Sequence, residues 1–155
     1  MINSLTLCLA VARPAFRQLL ISIISDQCRP TCIITDGIMS FAAIDVAEDL
    51  GIPVITFRTI SASGMWTFFK LVETGEVPFL DGNLDKPITC IPAYENVLLR
   101  RRDLPGFCRD ENADDPVLQF FLEQTRIMTR ASALILNTFN ELEAPMISRL
   151  GSFYS

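Results

Sequence analysis

Three short β-branched or aliphatic runs, Thr31–Thr35, Val54–Phe57 and Ala133–Asn137, are set apart by stretches whose apolar residues recur at helical spacing. That alternation constrains the fold more than any other feature. Each run has the composition of a buried strand. Strands separated by helices build a parallel sheet covered on both faces, because each helix returns the chain to the same end of the sheet. Before the first run, Leu5, Leu9, Ala12, Phe16, Leu19, Leu20, Ile23 and Ile24 mark one face of a helix over residues 5–25, with Pro14 weakening its middle. Asp36-Gly37 breaks the first strand. Met39, Ala43, Val46 and Leu50 then form the stripe of a helix over Ile38–Leu50, with Asp45, Glu48 and Asp49 off the stripe. Gly51 stops that helix, and Pro53 can begin a strand but not sit in its middle. A loop of Thr59, Ser61, Ser63 and Gly64 leads into a helix around Met65–Glu73.

From Gly75 to Asp115, prolines at 78, 87, 92 and 105, with Pro116 just beyond, and glycines at 75, 82 and 106 keep any regular element short. So long an irregular stretch inside a compact domain covers or binds something. Asp115-Pro116 is an N-cap followed by proline at the first helical position, opening a helix to about Arg130 with Val117, Phe120, Phe121 and Ile127 on its apolar side. Thr138 with Glu141 has the pattern of a capping box before a last helix ending near Leu150, in which Pro145 argues against continuity from Thr138. Three parallel strands leave both sheet edges open, so the expectation is an incomplete sheet, part of a larger α/β domain. No internal repeat or low-complexity segment is evident.

Composition narrows the function classes. Half of the 155 residues are hydrophobic and 20% are charged, which excludes a disordered chain. Charge or proline interrupts every apolar run short of the roughly 18 residues that a membrane span needs. Eighteen carboxylates against 13 bases give a net charge of −5, unsuited to a nucleic-acid partner held through phosphates. The one basic cluster, Arg100-Arg101-Arg102, is followed closely by Asp103, Asp110 and Glu111 and reads as a solvated loop. Five cysteines, at 8, 28, 32, 90 and 108, are an odd number without a C-x-x-C pair, which fits neither a disulfide framework nor a zinc site and suits a reducing cytoplasm. Leu5–Ala12 resembles a short signal-type apolar core, but no basic segment precedes it and Arg13-Pro14 follows, so it reads as the front of a helix. There is no histidine. Any acid–base chemistry must therefore take its base from a carboxylate, a partner or a segment outside this chain.

In open α/β sheets ligands bind beyond the carboxyl ends of the strands, which here means Asp36-Gly37, Arg58–Ser63 and Asn137-Thr138. Asp36 is the only carboxylate among them. From spacing alone it is an N-cap for the helix near Ile38, Thr59, Ser61 and Ser63 are loop hydroxyls, and Met65, Trp66, Phe68 and Phe69 are core. Asn137 and Thr138 read as helix-capping residues. No glycine-rich phosphate loop, nucleophile elbow or metal-ligand cluster is present.

The segments TCIITDGIMSFAAIDVAEDLGIPVITFRTISASG, GEVPF, LRRRDLPGF and ALILNTFNELE, in this order and spacing, resemble the amino-terminal domain of plant UDP-dependent glycosyltransferases of family 1 and GT-B type. The resemblance runs from about Leu5 to Gly151 and looks closest to members that glucosylate terpenoid or cyanohydrin-type aglycones. It implies a partial Rossmann-like, GT-B amino-terminal half over residues 1–155, an acceptor-binding domain without the donor-binding carboxy-terminal domain. It further implies sugar transfer, with glucose the expected sugar, from a UDP-sugar to a hydroxyl of a small hydrophobic acceptor, with inversion. No metal or other cofactor, no obligate protein partner and a cytoplasmic location are implied. Asp36 sits where the family places the aspartate of a His–Asp dyad, and its expected role turns from cap alone to dyad member. Thr59 matches a position that contacts the donor sugar. Ile38, Met65, Trp66 and Phe69 fall in regions that line the acceptor pocket. Lacking the base and the donor half, the isolated chain is expected to be inactive. Two other readings stay open: a non-catalytic truncated product that binds a hydrophobic ligand or a partner chain, and a flavodoxin-type domain holding phosphate on backbone N–H groups near Gly37 or Ser61.

Overall fold

The computed structural model describes residues 4–77, 79, 81–92, 98–109, 112 and 114–154, with side chains from Val11 onward. Pro78, Asp110 and Glu111, and the side chains of Leu5, Cys8 and Leu9, lie outside the described residues. The chain is α/β: α1 (Ser4–Ser25), β1 (Ile33–Asp36), α2 (Ser40–Asp49), β2 (Val54–Arg58), α3 (Ala62–Thr74), α4 (Pro116–Met128), β3 (Ala133–Leu136) and α5 (Asn140–Gly151). The strands form a parallel sheet in the order β1-β2-β3, flanked by helices. The chain divides into two compact units, one of residues up to Arg58 with Ile127–Ile135 and Tyr154, the other of Thr59–Arg126 with Leu136–Phe153.

In the first unit β1 and β2 pair in register from Ile33↔Val54 to Asp36↔Phe57. The central position of β2 buries Val54, Thr56 and Arg58 on alternate residues, as the twofold repeat of a strand requires. The outer strands are less covered than their composition suggested. Ile34 of β1 is 63% exposed and Ile135 of β3 is 41% exposed, because an edge strand has a neighbour on one side only. Ile44, Ala47, Ile52, Val54 and Ala131 make the core, with Ile24, Ile33, Leu50, Ile127 and Tyr154 packed against it. Helix α1 carries Pro14 without ending, buries Leu20, and turns Leu19 outward, against the stripe expected for it. Its arginines meet the acidic row of α2: Arg13 reaches Asp45 at 2.7 Å and Arg17 reaches Asp49 at 2.6 Å, while Arg130 joins Asp45 at 2.9 Å and also Glu48.

In the second unit α3 begins three residues earlier than its apolar spacing indicates, because Ser61 caps it, and ends at Gly75 in the left-handed conformation that glycine adopts without strain. Helix α5 packs against α3. Between Gly75 and Asp115 the described residues contain two 3-10 turns, Arg101–Asp103 and Gly106–Cys108, and one antiparallel bridge, Pro87↔Arg100. The arginine cluster there is not simply solvated. Arg101 is buried, lies over the Phe79 ring at 4.2 Å and pairs with Asp81, so it anchors the segment. Asp115 caps α4 as expected, its Oδ1 accepting from the N–H groups of Val117 and Leu118. The capping box at Thr138 is absent: the N-cap of α5 is Phe139, without a side-chain cap, and Thr138 donates its hydroxyl to Glu143. The break expected from Pro145 appears at Glu143, whose backbone leaves the helical region (φ −127°, ψ 18°).

Candidate functional site

The first candidate corner lies at the carboxyl end of β1. Asp36 is the strand's last residue, extended in backbone, and Gly37–Met39 turns immediately into a 3-10 helix leading to α2. Asp36 is exposed, and its Oδ1 accepts the Ile38 N–H at 2.8 Å. That bond fixes the side chain at the rim of the sheet and leaves the carboxylate a second oxygen. The cap expected from spacing is thus real, and it is compatible with a further role.

Beside Asp36, at the end of β2, lies Arg58. It is 8% exposed, and its Nε has no hydrogen-bond partner among the described residues. Burial pushes the guanidinium pKa down from its ordinary value, and the charge of Asp36 acts in the opposite sense. Its stem lies across the α-carbon of Gly37: a Cβ on that glycine would stand 2.2 Å from Arg58 Cδ and 2.8 Å from Cγ. Only glycine leaves room for the arginine there. Ser40, which closes the same turn, has a fully buried hydroxyl that also lacks a partner.

The second unit presents the start of α3. Here Glu143 of α5 accepts the N–H groups of Ala62 (3.0 Å) and Ser63 (2.9 Å) and the hydroxyl of Thr138 at 2.5 Å, while Ser61 Oγ accepts from Gly64 N–H at 3.1 Å. Desolvation raises the Glu143 pKa, but the hydrogen bonds from the Ser63 and Thr138 hydroxyls and the two backbone N–H groups outweigh it and hold the value at about 2. The free N–H groups of a helix start are what an anionic ligand would use. Glu143 already takes those of Ala62 and Ser63, and at the turn after β1 Asp36 takes that of Ile38. This geometry removes the ground for a flavodoxin-type phosphate site at Gly37 or Ser61.

The remaining residues singled out from sequence fall in different surroundings. Ile38 is exposed at 38% in the turn beside Asp36. Thr59 is exposed just after β2. Met65, Trp66 and Phe69 are buried within the second unit. Trp66 donates its indole N–H to the Pro92 carbonyl at 2.9 Å and lies under Lys70 Nζ at 4.6 Å, and Phe153 packs on both Trp66 and Phe69, with ring centroids at 6.3 and 4.9 Å. Among the described residues no group of three histidine, cysteine, aspartate or glutamate side chains is arranged to hold a metal ion, and no helix is long and apolar enough to cross a membrane.

Sequence reasoning placed Arg58 at a candidate strand end without giving it a role, and it missed Glu143. The signal for Arg58 was present: in Val54-Ile55-Thr56-Phe57-Arg58 the alternation that buries Val54 and Thr56 buries Arg58 as well. For Glu143 the sequence offers only nearby Thr138, which reads as a helix cap, because the backbone N–H donors that hold it are about 80 residues away.

The three-stranded parallel sheet flanked by helices is the α/β architecture that the chain shares with GT-B glycosyltransferases of known structure. The chain matches a UDP-glucosyltransferase from Polygonum tinctorium capable of glucosylating indoxyl with a TM-score of 0.79 and 26% identity, over 93% of this chain and 31% of the other. The same TM-score, identity and coverage relate it to Phytolacca americana UGT2 complexed with UDP-2fluoro-glucose and pterostilbene. In sequence it is 44% identical over 150 residues to 7-deoxyloganetic acid glucosyltransferase of Catharanthus roseus, covering 90% of this chain and 30% of that protein. It is 45% identical over 146 residues to mogroside I-A1 synthase of Siraitia grosvenorii, covering 92% and 28%. No protein-family model matches the chain. The chain belongs to the plant UDP-glycosyltransferase family and spans about a third of the length of the curated relatives that it matches.

Proposed function

We propose that this chain is the acceptor-side part of a UDP-glycosyltransferase that transfers a sugar, glucose in the first instance, from a UDP-sugar to a hydroxyl of a small hydrophobic acceptor. The observation that carries the reading is Asp36: exposed, at the carboxyl end of a parallel strand, held by one oxygen through the Ile38 N–H. A carboxylate so fixed can accept from one nitrogen of an imidazole, set its tautomer and stabilise the imidazolium formed when the other nitrogen removes the acceptor's hydroxyl proton. The chain has no histidine, so that imidazole comes from outside it. The activated oxygen attacks the anomeric carbon opposite the departing diphosphate, and configuration inverts. Thr59 is assigned to the donor sugar by the family resemblance, and its exposure after β2 is compatible with that role. Ile38, exposed in the turn beside Asp36, offers apolar surface to the acceptor; Met65, Trp66 and Phe69 are the further acceptor-side residues that the family resemblance implies, and they act from the interior of their own unit. The acceptor-like ligands named for relatives, 7-deoxyloganetic acid, indoxyl and pterostilbene, are small molecules of this kind.

The test is a chimera in which this chain replaces the matching segment of the Catharanthus roseus relative, which supplies the remaining sequence. The chimera should form a β-glucoside from UDP-glucose, and Asp36→Asn should lower kcat by about 10²-fold or more, the scale set by losing acid–base assistance. The 155-residue chain alone should show no turnover. Transfer that ignores Asp36, or robust turnover by the isolated chain, refutes the reading.

A further inference from the structure

Among the described residues two buried side-chain polar atoms have no hydrogen-bond partner, Arg58 Nε and Ser40 Oγ, and both belong to the corner around Gly37–Met39. Both carry hydrogen-bond donors. A buried hydrogen-bond donor without an acceptor is costly, and such a group in a native fold calls for an explanation. The Arg58 stem lies across Gly37, its Cδ 2.2 Å from where a Cβ on that glycine would stand. Asp36 is its nearest charge partner by electrostatic effect, but one oxygen of that carboxylate is committed to Ile38. The corner also stands at the carboxyl edge of the sheet, where α/β folds receive ligands. Fixed cationic and hydroxyl donors lacking acceptors call for a group that only accepts, and an ionised carboxylate is such a group.

We infer that Arg58, with Ser40, forms an oxyanion-recognition point and that the acceptor is a hydroxylated small molecule bearing a carboxylate. The inference deepens the glycosyltransferase reading and rests on it for the word acceptor; the binding itself does not. Arg58 holds the carboxylate by charge-assisted hydrogen bonds and so turns the acceptor's hydroxyl edge toward Asp36. Asp36 repels that carboxylate and limits its affinity.

The 155-residue chain is titrated with cyclohexanecarboxylate and with the uncharged cyclohexylmethanol, following heat and the Arg58 Nε–H resonance in arginine-labelled protein. The carboxylate should bind at least tenfold more tightly than the alcohol and shift that resonance, since each charge-assisted bond is worth about a factor of ten or more. Arg58→Met should erase the preference. Ser40→Ala, a buried change of small volume that keeps the fold if Arg58→Met does not, should reduce it several-fold, and Asp36→Asn should strengthen carboxylate binding. Equal binding of acid and alcohol, no binding of either, or indifference to Ser40→Ala and Arg58→Met overturns the inference. Uridine diphosphate or inorganic phosphate displacing the carboxylate at lower concentration assigns the point to the donor instead, and overturns it too. Carboxylate binding together with a chimera that transfers no sugar would sink the enzymatic reading while leaving Arg58 its role.

Discussion

Acid should loosen the pairing of α3 and α5 through one side chain. Glu143 is 7% exposed, and its pKa in the folded chain is about 2 against an ordinary 4.5. Because the folded value is the lower one, the unfolded chain binds more protons between the two, and stability falls as pH drops through that window. Above pH 4.5 the contribution is complete. The gap between 4.5 and about 2, at about 1.4 kcal/mol for each pH unit, sets a ceiling of about 3 kcal/mol. Water reaching the exposed Ser61 nearby screens the cluster and brings the expected contribution to about 1–2 kcal/mol. Glu143→Gln keeps the volume and one acceptor oxygen, but turns an amide N–H₂ toward the Ala62 or Ser63 N–H, leaving buried donors unmatched at a cost of about 1–3 kcal/mol. Trp66 is the single tryptophan and lies on α3, so its fluorescence reports unfolding of the unit in question. In urea titrations from pH 7 to pH 2.5 the wild-type chain should lose stability more steeply than Glu143→Gln, and the two should converge at the acid end. Parallel curves across that range would refute the assignment.

Three further outcomes follow from contacts in the same chain. Burial pushes the Cys108 thiol up to about 12, so iodoacetamide at pH 8 should leave Cys108 unlabelled in the native protein while the exposed Cys28 and Cys32 react; peptide mass mapping reads the difference, and comparable labelling would contradict it. Gly37→Ala would drive a methyl group into Arg58 Cδ and Met128 Sδ and should destabilise by about 1–3 kcal/mol, with a smaller cost in an Arg58→Ala background; strict additivity in urea unfolding would show that the arginine stem does not occupy that space. Arg101→Met removes the pair with Asp81 and the cation over Phe79, and should cost about 1–2 kcal/mol in thermal unfolding, more than Asp81→Asn, since Asp81 keeps half its surface in water.

The order of helices and strands was legible because it depends on local spacing. Val54–Arg58 alternates correctly, Asp115 caps α4 where Asp-Pro says it should, and Pro145 announces a break in α5. What failed depended on distant partners. Thr138 looks like a cap because a glutamate follows at the right interval, yet its hydroxyl goes to Glu143, which α3 has drawn toward its own start. Arg101 sits in a run of three arginines that reads as solvated, and only the folded segment reveals that Phe79 and Asp81 take it inward. The rim position of Asp36 could be inferred because a strand end and the turn after it are local features. The guanidinium beside it could have been found from strand alternation, whereas its missing partner could not, since that is a property of everything packed around it.

The carboxylates at the two turns also bear on the proposed function. Helix starts after parallel strands are the usual seats of phosphate, and here Asp36 and Glu143 fill them with the chain's own negative charge. A diphosphate would have to displace a carboxylate at either place, which accords with the proposed acceptor-side role of this chain. On the proposed function Asp36 has two separable duties, the cap on the Ile38 N–H and the charge beside an imidazole. Asparagine keeps a side-chain oxygen for the Ile38 N–H but not the charge, while alanine keeps neither. Asp36→Ala should therefore cost the chain about 0.5–2 kcal/mol in urea unfolding, Asp36→Asn only a few tenths, and both should lower transfer in the chimera alike, by about 10²-fold or more. If asparagine destabilised the chain as much as alanine, the negative charge would be serving Arg58 rather than an imidazole, and the dyad role would lose its support.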